Sequence, residues 1–256
     1  MLKLKKIHKV IAGVTIIDHL TAAFPRGVVS ALVGPNGAGK TSLFNLITGE
    51  MHVDSGSIAY CRKELTKLPA HRIARQGVGR LFQDVRVFEN LSVLENIMAA
   101  CFSPAEDQPW FPFLHPIRLR QTNRLIRNKA EAILDRFGLR DKKDCPAGEL
   151  SFGQQKILAI GRLLASDCSL LLFDEPTAGL HQDLIPEILA IIKQIIDQDK
   201  EKTIIVVEHN MSVVREVAQW VFFMNEGKLA FTGRTDHVLG CREVRELYLG
   251  LRGDEK

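Results

Sequence analysis

A glycine-rich stretch at residues 34–41 constrains the fold of this chain more than any other feature. It follows a β-branched run at 28–33 that is typical of a buried parallel strand, and it precedes apolar residues at helical spacing that end at Gly49. A strand, a glycine loop and a helix in this order bind phosphate through backbone N–H groups and the positive end of the helix dipole. The stretch therefore predicts a nucleoside triphosphate site. The residues expected to contact the nucleotide are Gly34, Asn36, Gly37, Ala38, Gly39, Lys40, Thr41 and Ser42.

Three side chains of this loop have separate predicted roles. Lys40 would reach the β- and γ-phosphates, Thr41 would offer its hydroxyl to Mg²⁺, and Ser42 would contact the α-phosphate. Each charge-assisted hydrogen bond of this kind contributes about 1.5–3 kcal/mol. The alternative is a glycine-rich turn ahead of an ordinary helix, and the flanking strand and helix argue against it.

Length and composition restrict the class of protein. A chain of 256 residues, 46% hydrophobic, is long enough for one core plus a smaller lobe. The net charge of +4 is too small to indicate nucleic-acid binding without a localised basic patch. The five cysteines lack metal-like spacing and are expected to be reduced thiols. With neither a signal peptide nor an apolar run of ~20 residues, we expect a soluble chain that meets a membrane only through partners.

Hydrophobic patterning predicts an α/β fold with a helical lobe inserted into it. We expect a core at 1–88 and 165–235, a helical lobe at 89–164, and a tail at 236–256. The β-like runs and turns of residues 1–30 predict an antiparallel strand layer in front of the glycine loop.

Local signals place further elements. Residues 77–83 read as a short strand, and Ser92 with Glu95 predicts a capping box that opens a helix. Residues 118–137 predict a strongly basic helix, and the segment around 225–227 predicts a β-hairpin. The proline- and aromatic-rich segment 104–116 has two interpretations, packing over the helical lobe or contact with a membrane partner or lipid headgroups.

Two carboxylates follow the strand-like run at 169–173. Asp174 and Glu175 would lie at the carboxyl edge of the sheet, which is where open α/β sheets bind ligands. Asp174 would hold Mg²⁺ because this cation prefers oxygen ligands, and Glu175 would act on the attacking water as general base. The alternative is a pair of solvated carboxylates at a strand end.

Residues 150–155, Leu-Ser-Phe-Gly-Gln-Gln, make the prediction specific. Ser151 precedes a helical pattern as its N-cap, and Gly153 would allow close approach of an anion, although an ordinary cap has the same appearance. A glycine loop, then this segment, then an apolar strand with Asp174 and Glu175 resembles the ATPase subunit of ABC transporters. The resemblance covers nearly the whole chain.

The resemblance implies a head-to-tail dimer with two ATP sites, in which a signature segment of one subunit closes over ATP held by the other. By the same resemblance, Gln83 senses Mg²⁺ and the attacking water, and His209 contacts the γ-phosphate. A lone Gln or His at a strand end would otherwise be read as a surface polar group. The signature residues implied to act across the dimer are Ser151, Phe152, Gly153 and Gln154.

Within the family, the chain is similar to importer ATPases of the branched-chain amino-acid and urea type. The stretches that carry this likeness are 80–83, 87–93, 178–180, 208–211 and 244–250. The likeness implies a second ATPase subunit, identical or related, and a separate transmembrane permease, with an extracytoplasmic solute-binding protein as an indirect partner. It places the chain on the cytoplasmic face of the membrane as a peripheral subunit, and we expect Phe88 on the surface that couples it to the permease.

The sequence departs from the family pattern at three positions. Ile11 stands where an aromatic residue usually stacks on adenine, Phe152 replaces a glycine of the signature, and His181 replaces a common aspartate. These departures concern which nucleotide base the site selects and how the two ATP sites of the implied dimer communicate.

Three alternatives remain open at this level. A lipid or lipopolysaccharide exporter ATPase has a similar core, but the stretch at 244–250 argues against it. A soluble ABC protein of translation, or one that acts as a clamp, usually has two cassettes or a long coiled coil. A P-loop kinase would have no use for residues 150–155.

Overall fold

A computed structural model describes residues 1–101 and 116–249 of the chain. The aromatic segment predicted to cover the lobe or to meet a membrane lies almost wholly outside the described residues. The chain separates into two compact units, and the predicted lobe at 89–164 belongs to the second. The first contains Met1–Gln83, Ser169–Gly179 and the residues from Ile185 onward, and the second contains Asp84–Cys168 and Leu180–Leu184.

The strands form two sheets, both in the first unit. In chain order they are β1 (Leu2–Ile11), β2 (Val14–Phe24), β3 (Val29–Val33), β4 (Ser55–Tyr60), β5 (Lys63–Glu64), β6 (Val78–Leu81), β7 (Leu170–Asp174), β8 (Thr203–Val207), β9 (Trp220–Asn225) and β10 (Lys228–Arg234). The first sheet has the order β2-β1-β4-β5, and all of its pairs are antiparallel. The predicted antiparallel layer in front of the glycine loop is therefore confirmed.

The second sheet has the order β10-β9-β3-β8-β7-β6. Its pairs are parallel except for the hairpin of β9 and β10 at one edge. Every residue of β3, β7 and β8 is buried, as expected for parallel strands covered on both faces. The chain is thus an α/β protein with an antiparallel β layer, as predicted.

The described helices connect these strands and build the second unit. In chain order they are α1 (Lys40–Thr48), α2 (Ala70–Ala74), α3 (Val93–Ala100), α4 (Pro116–Arg136), α5 (Phe152–Ala165), α6 (Ile185–Gln198), α7 (Met211–Val217), α8 (Thr235–Gly240) and α9 (Arg242–Leu249). Helix α1 ends at Gly49, whose φ of +75° is the left-handed conformation that glycine adopts most easily at a helix C-terminus.

Helix α1 lies in the apolar core that joins the two sheets. Its Phe44 and Ile47 belong to one buried cluster with residues of both sheets. The strand residues in this cluster include Leu4, Ile7 and Ile17 of the antiparallel sheet and Leu172 and Ile205 of the parallel sheet. Because α1 begins directly after the glycine loop, this packing determines where the loop is held.

In the second unit, helices α3, α4 and α5 pack closely. A Cβ atom on Gly161 of α5 would lie 2.8 Å from Cδ1 of Ile97 and 3.2 Å from Cγ2 of Ile133, so a larger residue would displace these side chains. The predicted capping box is present, since Ser92 Oγ accepts from the backbone N–H of Glu95 and the Glu95 carboxylate accepts from the N–H of Ser92.

Three predicted boundaries were wrong by a few residues. Strand β6 ends at Leu81 rather than at 83, because its ladder to β7 ends where Leu81 pairs with Phe173. The hairpin turn contains two residues, Glu226 and Gly227, and not three, since both have positive φ, as a tight two-residue turn requires. The basic helix α4 begins at Pro116 rather than at 118.

Two expectations about the whole chain concern membranes and thiols. No described helix is both long enough and apolar enough to span a bilayer. All five cysteines are free thiols, as predicted from their spacing.

The burial of the parallel strands predicts where a substitution lowers the stability of the fold most. Leu172 in β7 is fully buried, so Leu172→Ala is expected to lower the free energy of unfolding by about 2–5 kcal/mol through lost apolar contacts and a residual cavity. Leu125→Ala, at a site in α4 that is 68% exposed, is the matched control and should change stability by less than about 0.5 kcal/mol. Denaturant titration followed by circular dichroism measures both, and equal effects would contradict this description of the core.

Candidate active site

The candidate site lies at the carboxyl ends of four parallel strands that are neighbours in the order β3, β8, β7, β6. The glycine loop follows β3, and His209 comes two residues after β8. Strand β7 ends with Asp174, and Gln83 comes two residues after β6. Residues that lie far apart in the sequence therefore reach one edge of the sheet, where open α/β sheets bind their ligands.

The glycine loop is held tightly against its surroundings. A Cβ atom on Gly34 would lie 2.1 Å from the carbonyl oxygen of Met224, so no other residue fits there. Gly39 has a φ of +98° and precedes the first residue of α1. Ala38 is buried, and its carbonyl accepts a hydrogen bond from the N–H of Gly227, which ties the loop to the β9–β10 turn.

Lys40 is buried at the base of this loop. Its Nζ donates to the carbonyl oxygens of Gly34 at 2.8 Å and Pro35 at 2.9 Å. Burial lowers the pKa of Lys40, and the nearby charges of Glu175 and Asp174 act in the opposite direction. The ammonium group is thus held inside the loop by neutral carbonyl groups, and anionic oxygens would be stronger acceptors.

Glu175 and His209 lie side by side in the wall of a cavity of about 500 Å³. Nε2 of His209 donates to Oε1 of Glu175 at 2.6 Å. Glu175 has a φ of +49°, an uncommon value for a residue with a side chain, and its N–H donates to the carbonyl of Val207. Strained backbone of this kind is concentrated at functional sites. The residues that line the cavity are Gly34, Pro35, Asn36, Glu175 and His209.

The structure does not bring every predicted residue to this cavity. Gln83 is exposed beyond the end of β6, and Thr41 is exposed in the first turn of α1. Ser42 is half-buried in the same turn. Ile11, at the position where the family usually has an aromatic residue, is 40% exposed at the end of β1.

Asp174 has a partner that the sequence prediction missed. The guanidinium of Arg80 in β6 donates to Oδ2 of Asp174 at 2.6 Å, and both side chains are only 6% exposed. An arginine within the strand-like run at 77–83 was the available signal, because charged side chains are rarely buried without a partner.

Glu208 is a second residue that the prediction left without a role. Its Oε1 accepts from the hydroxyl of Thr177 at 2.8 Å and from the Thr177 N–H at 3.1 Å. Burial raises the pKa of Glu208, and the two hydrogen bonds from Thr177 oppose that shift only in part. This contact ties the chain after β8 to the chain that follows Glu175.

The predicted signature segment opens helix α5 in the second unit. Ser151 is the N-cap, its Oγ accepts from the N–H of Gln154, and Oε1 of Gln154 accepts from the N–H of Ser151. A Cβ atom on Gly153 would lie 2.5 Å from Cδ1 of Leu184, so a larger residue there would displace the Leu184 side chain. Ser151 is exposed, Phe152 is 46% exposed, and a helix N-terminus therefore faces solvent in this chain.

The chain is similar to proteins of one known family. Residues 17–178 match the family model described as ABC transporter. The chain is 32% identical over 227 residues to the high-affinity branched-chain amino acid transport ATP-binding protein LivG of Escherichia coli K12, covering 89% of this chain and 88% of that one. It is 29% identical over 238 residues to BraF of Pseudomonas aeruginosa, which has the same description, with 93% of each chain covered.

Solved structures show the same fold. The ADP conformation of an ATP-binding cassette of an ABC transporter superposes with a TM-score of 0.83 at 28% sequence identity. The alignment covers 98% of this chain and 98% of that chain.

The buried Glu208 predicts a pH-dependent stability difference. Since folding raises its pKa, the ionised carboxylate costs stability at neutral pH, and this cost disappears as pH falls below the ordinary pKa of about 4.5. Glu208→Gln keeps an acceptor for Thr177 and is expected to unfold at higher urea than the wild type at pH 7, with the difference lost near pH 4. Glu64→Gln, at an exposed site in β5, is the control and should show no such change.

Proposed function

Since the chain belongs to the ABC transporter family, we propose that it binds and hydrolyses ATP to power import of a small polar solute through a separate membrane permease. The solute class is a branched-chain amino acid or a urea- or amide-like compound. The observation that carries the catalytic part is the 2.6 Å contact between Glu175 and His209 at a cavity walled by the glycine loop.

The residues at the loop fit a nucleoside triphosphate with Mg²⁺. The buried ammonium of Lys40 donates to the carbonyl oxygens of Gly34 and Pro35, and phosphate oxygens are better acceptors for it. The Thr41 hydroxyl and the Asp174 carboxylate supply the oxygen donors that Mg²⁺ prefers, and Gln83 would add a third from the chain after β6. When bound, Mg²⁺ neutralises charge on the phosphate oxygens.

We assign hydrolysis to Glu175 and His209, which line the cavity. The Glu175 carboxylate would accept a proton from the attacking water as the water oxygen bonds to the γ-phosphorus. The bond from that phosphorus to the β–γ bridging oxygen breaks in the same step, and ADP leaves with the electron pair of that bond. The Nε2–H group of His209 donates to Oε1 of Glu175 in this structure, and with nucleotide bound it would donate to a γ-phosphate oxygen instead, which frees the carboxylate to accept the proton. Glu175 is well placed for this role because its strained backbone is anchored through Val207.

We assign the signature segment of this chain to a contact with ATP that is bound to a second ATPase subunit, identical or related, in a head-to-tail dimer. Ser151 and Gln154 form the capped N-terminus of α5, and the positive end of a helix dipole favours phosphate. Phe152 and Gly153 complete the surface that would cover ATP bound to the partner. His181, 79% exposed at its side chain, would lie at the contact through which the two sites communicate.

The names of two relatives support import as the direction of transport. LivG and BraF are named as ATP-binding proteins of branched-chain amino acid transport, which favours an importer over the lipid-exporter alternative. An importer of this type would hold the chain at the cytoplasmic face of the membrane and receive its solute from an extracytoplasmic binding protein. Nothing in this role needs a nucleic acid.

Removing the proposed base tests the catalytic assignment. Glu175→Gln keeps the shape of the side chain but cannot accept the proton, so it is expected to bind ATP normally and to lose about 10²–10⁴-fold in turnover. Fluorescent nucleotide binding and phosphate release measure the two properties. Glu187→Gln, exposed in α6, is the matched control. Turnover near the wild-type rate in Glu175→Gln would remove Glu175 from this role.

The partner proposal has its own test. Phe88 is 50% exposed in the second unit, with the Arg162 guanidinium 4.5 Å from its ring centroid. A tagged chain purified in detergent is expected to retain a multi-span permease, Phe88→Ala to lose most of it, and Leu125→Ala to retain it. Mass spectrometry identifies what is retained. A set of purely soluble partners, or ribosomes, would contradict the transporter role and leave the ATP chemistry untouched.

A further inference from the structure

Arg80 is the most heavily bonded buried cation described near the candidate site. Its side chain is 6% exposed. One terminal nitrogen donates to Oδ2 of Asp174 at 2.6 Å, and the other donates to Oδ1 of Asn45 at 2.6 Å and to Oε2 of Glu50 at 3.3 Å. The guanidinium also lies 4.8 Å from the ring centroid of Phe82 and 5.7 Å from that of Phe44.

These contacts join the three elements that carry the proposed Mg²⁺ donors. Thr41 is in α1, Gln83 follows β6, and Asp174 ends β7. Arg80 belongs to β6, three residues before Gln83, and it bonds to Asn45 one turn beyond Thr41 in α1 and to Asp174 in β7. One side chain therefore sets the spacing between all three donor-bearing elements.

We propose that Arg80 is a positioning residue that holds Asp174, α1 and the start of the chain leading to Gln83 in the arrangement that Mg²⁺–ATP requires. This inference rests on the proposed nucleotide function. Mg²⁺ demands near-ideal octahedral geometry and tolerates misplaced ligands poorly. Groups that orient metal ligands from behind typically change metal affinity or activity by about 10–100-fold when they are removed.

The chemistry of arginine suits this position better than that of lysine. A guanidinium presents several N–H donors in a rigid fork, so it bonds in different directions at once, and its planar face stacks against aromatic rings such as Phe82. A lysine ammonium at this site would keep the charge beside Asp174 but could not keep the bond to Asn45 and the stacking in the same geometry. Arg80 binds one oxygen of the carboxylate, which orients the group and leaves Oδ1 with its lone pairs.

The competing explanation is a purely structural one, in which Arg80 only neutralises Asp174 and stabilises the first unit. That explanation predicts lower stability and an equal loss of nucleotide binding with and without metal. A positioning role predicts instead that metal affinity is lost while nucleotide affinity without metal is kept. The experiment must therefore separate metal affinity from nucleotide affinity and from stability.

The test measures Mn²⁺ binding by electron paramagnetic resonance in the presence of saturating ADP, with Mn²⁺ as the probe of the Mg²⁺ site. Arg80→Met is expected to raise the Kd for Mn²⁺ by about 10–100-fold, while binding of a fluorescent ADP analogue in EDTA stays within about twofold of the wild type. The Kd of Arg80→Lys for Mn²⁺ is expected to fall between those of the wild type and Arg80→Met. Arg26→Met, which removes an exposed arginine paired with Glu201, is the control and should change neither value.

Other outcomes identify which proposal fails. An unchanged Kd for Mn²⁺ in Arg80→Met, or equal losses with and without metal, overturns the positioning role. If Arg80→Met does not fold, Arg80→Lys decides, and a wild-type Kd for Mn²⁺ in that variant overturns it as well. Asp174→Asn is measured alongside. If it binds Mn²⁺ as the wild type does, the proposed metal role of Asp174 fails, whereas weak binding in Asp174→Asn with normal binding in Arg80→Met refutes only the role of Arg80.

Discussion

The parallel pairing of β8 with β3 on one side and β7 on the other is the constraint on which the rest of the structure depends. All residues of these three strands are buried, so the side chains within the strands are shielded from any ligand in solution. The first groups free to interact with a ligand are those at the carboxyl ends. Because the strands run in the same direction, their ends meet at one edge, and residues separated by more than 170 positions, such as the glycine loop and His209, line one cavity.

The hydrogen bonds of buried charged groups then hold the segments at this edge in place. A charged group removed from water needs partners. Lys40 is satisfied by the carbonyl groups of its own loop, Asp174 by Arg80, and Glu208 by Thr177. Each contact fixes the relative placement of two segments at the site. The uncommon backbone conformation of Glu175 is held in the same way, through its hydrogen bond to Val207.

The second unit is built by different means. Its helices are positioned by close packing at Gly161 and by capping boxes that begin at Ser92 and Ser151. Both caps satisfy backbone N–H groups locally, so these helices begin at defined residues whatever else surrounds them. An exposed helix start at Ser151 is then available to a second subunit, in the dimer proposed for ATP hydrolysis.

The sequence by itself determined the family, the α/β class, the antiparallel layer and the capped helix starts, because each follows from contiguous patterns of residues such as 34–41 and 150–155. It also identified Glu175 as a candidate from its place after a strand-like run, and His209 through the family likeness. Tertiary structure alone decided which side chains meet: the Glu175–His209 contact, the Arg80 bonds to Asp174 and Asn45, and the burial that raises the pKa of Glu208. These depend on strand order and register, which place residues far apart in sequence within hydrogen-bonding distance, and local patterns carry no information on such distances.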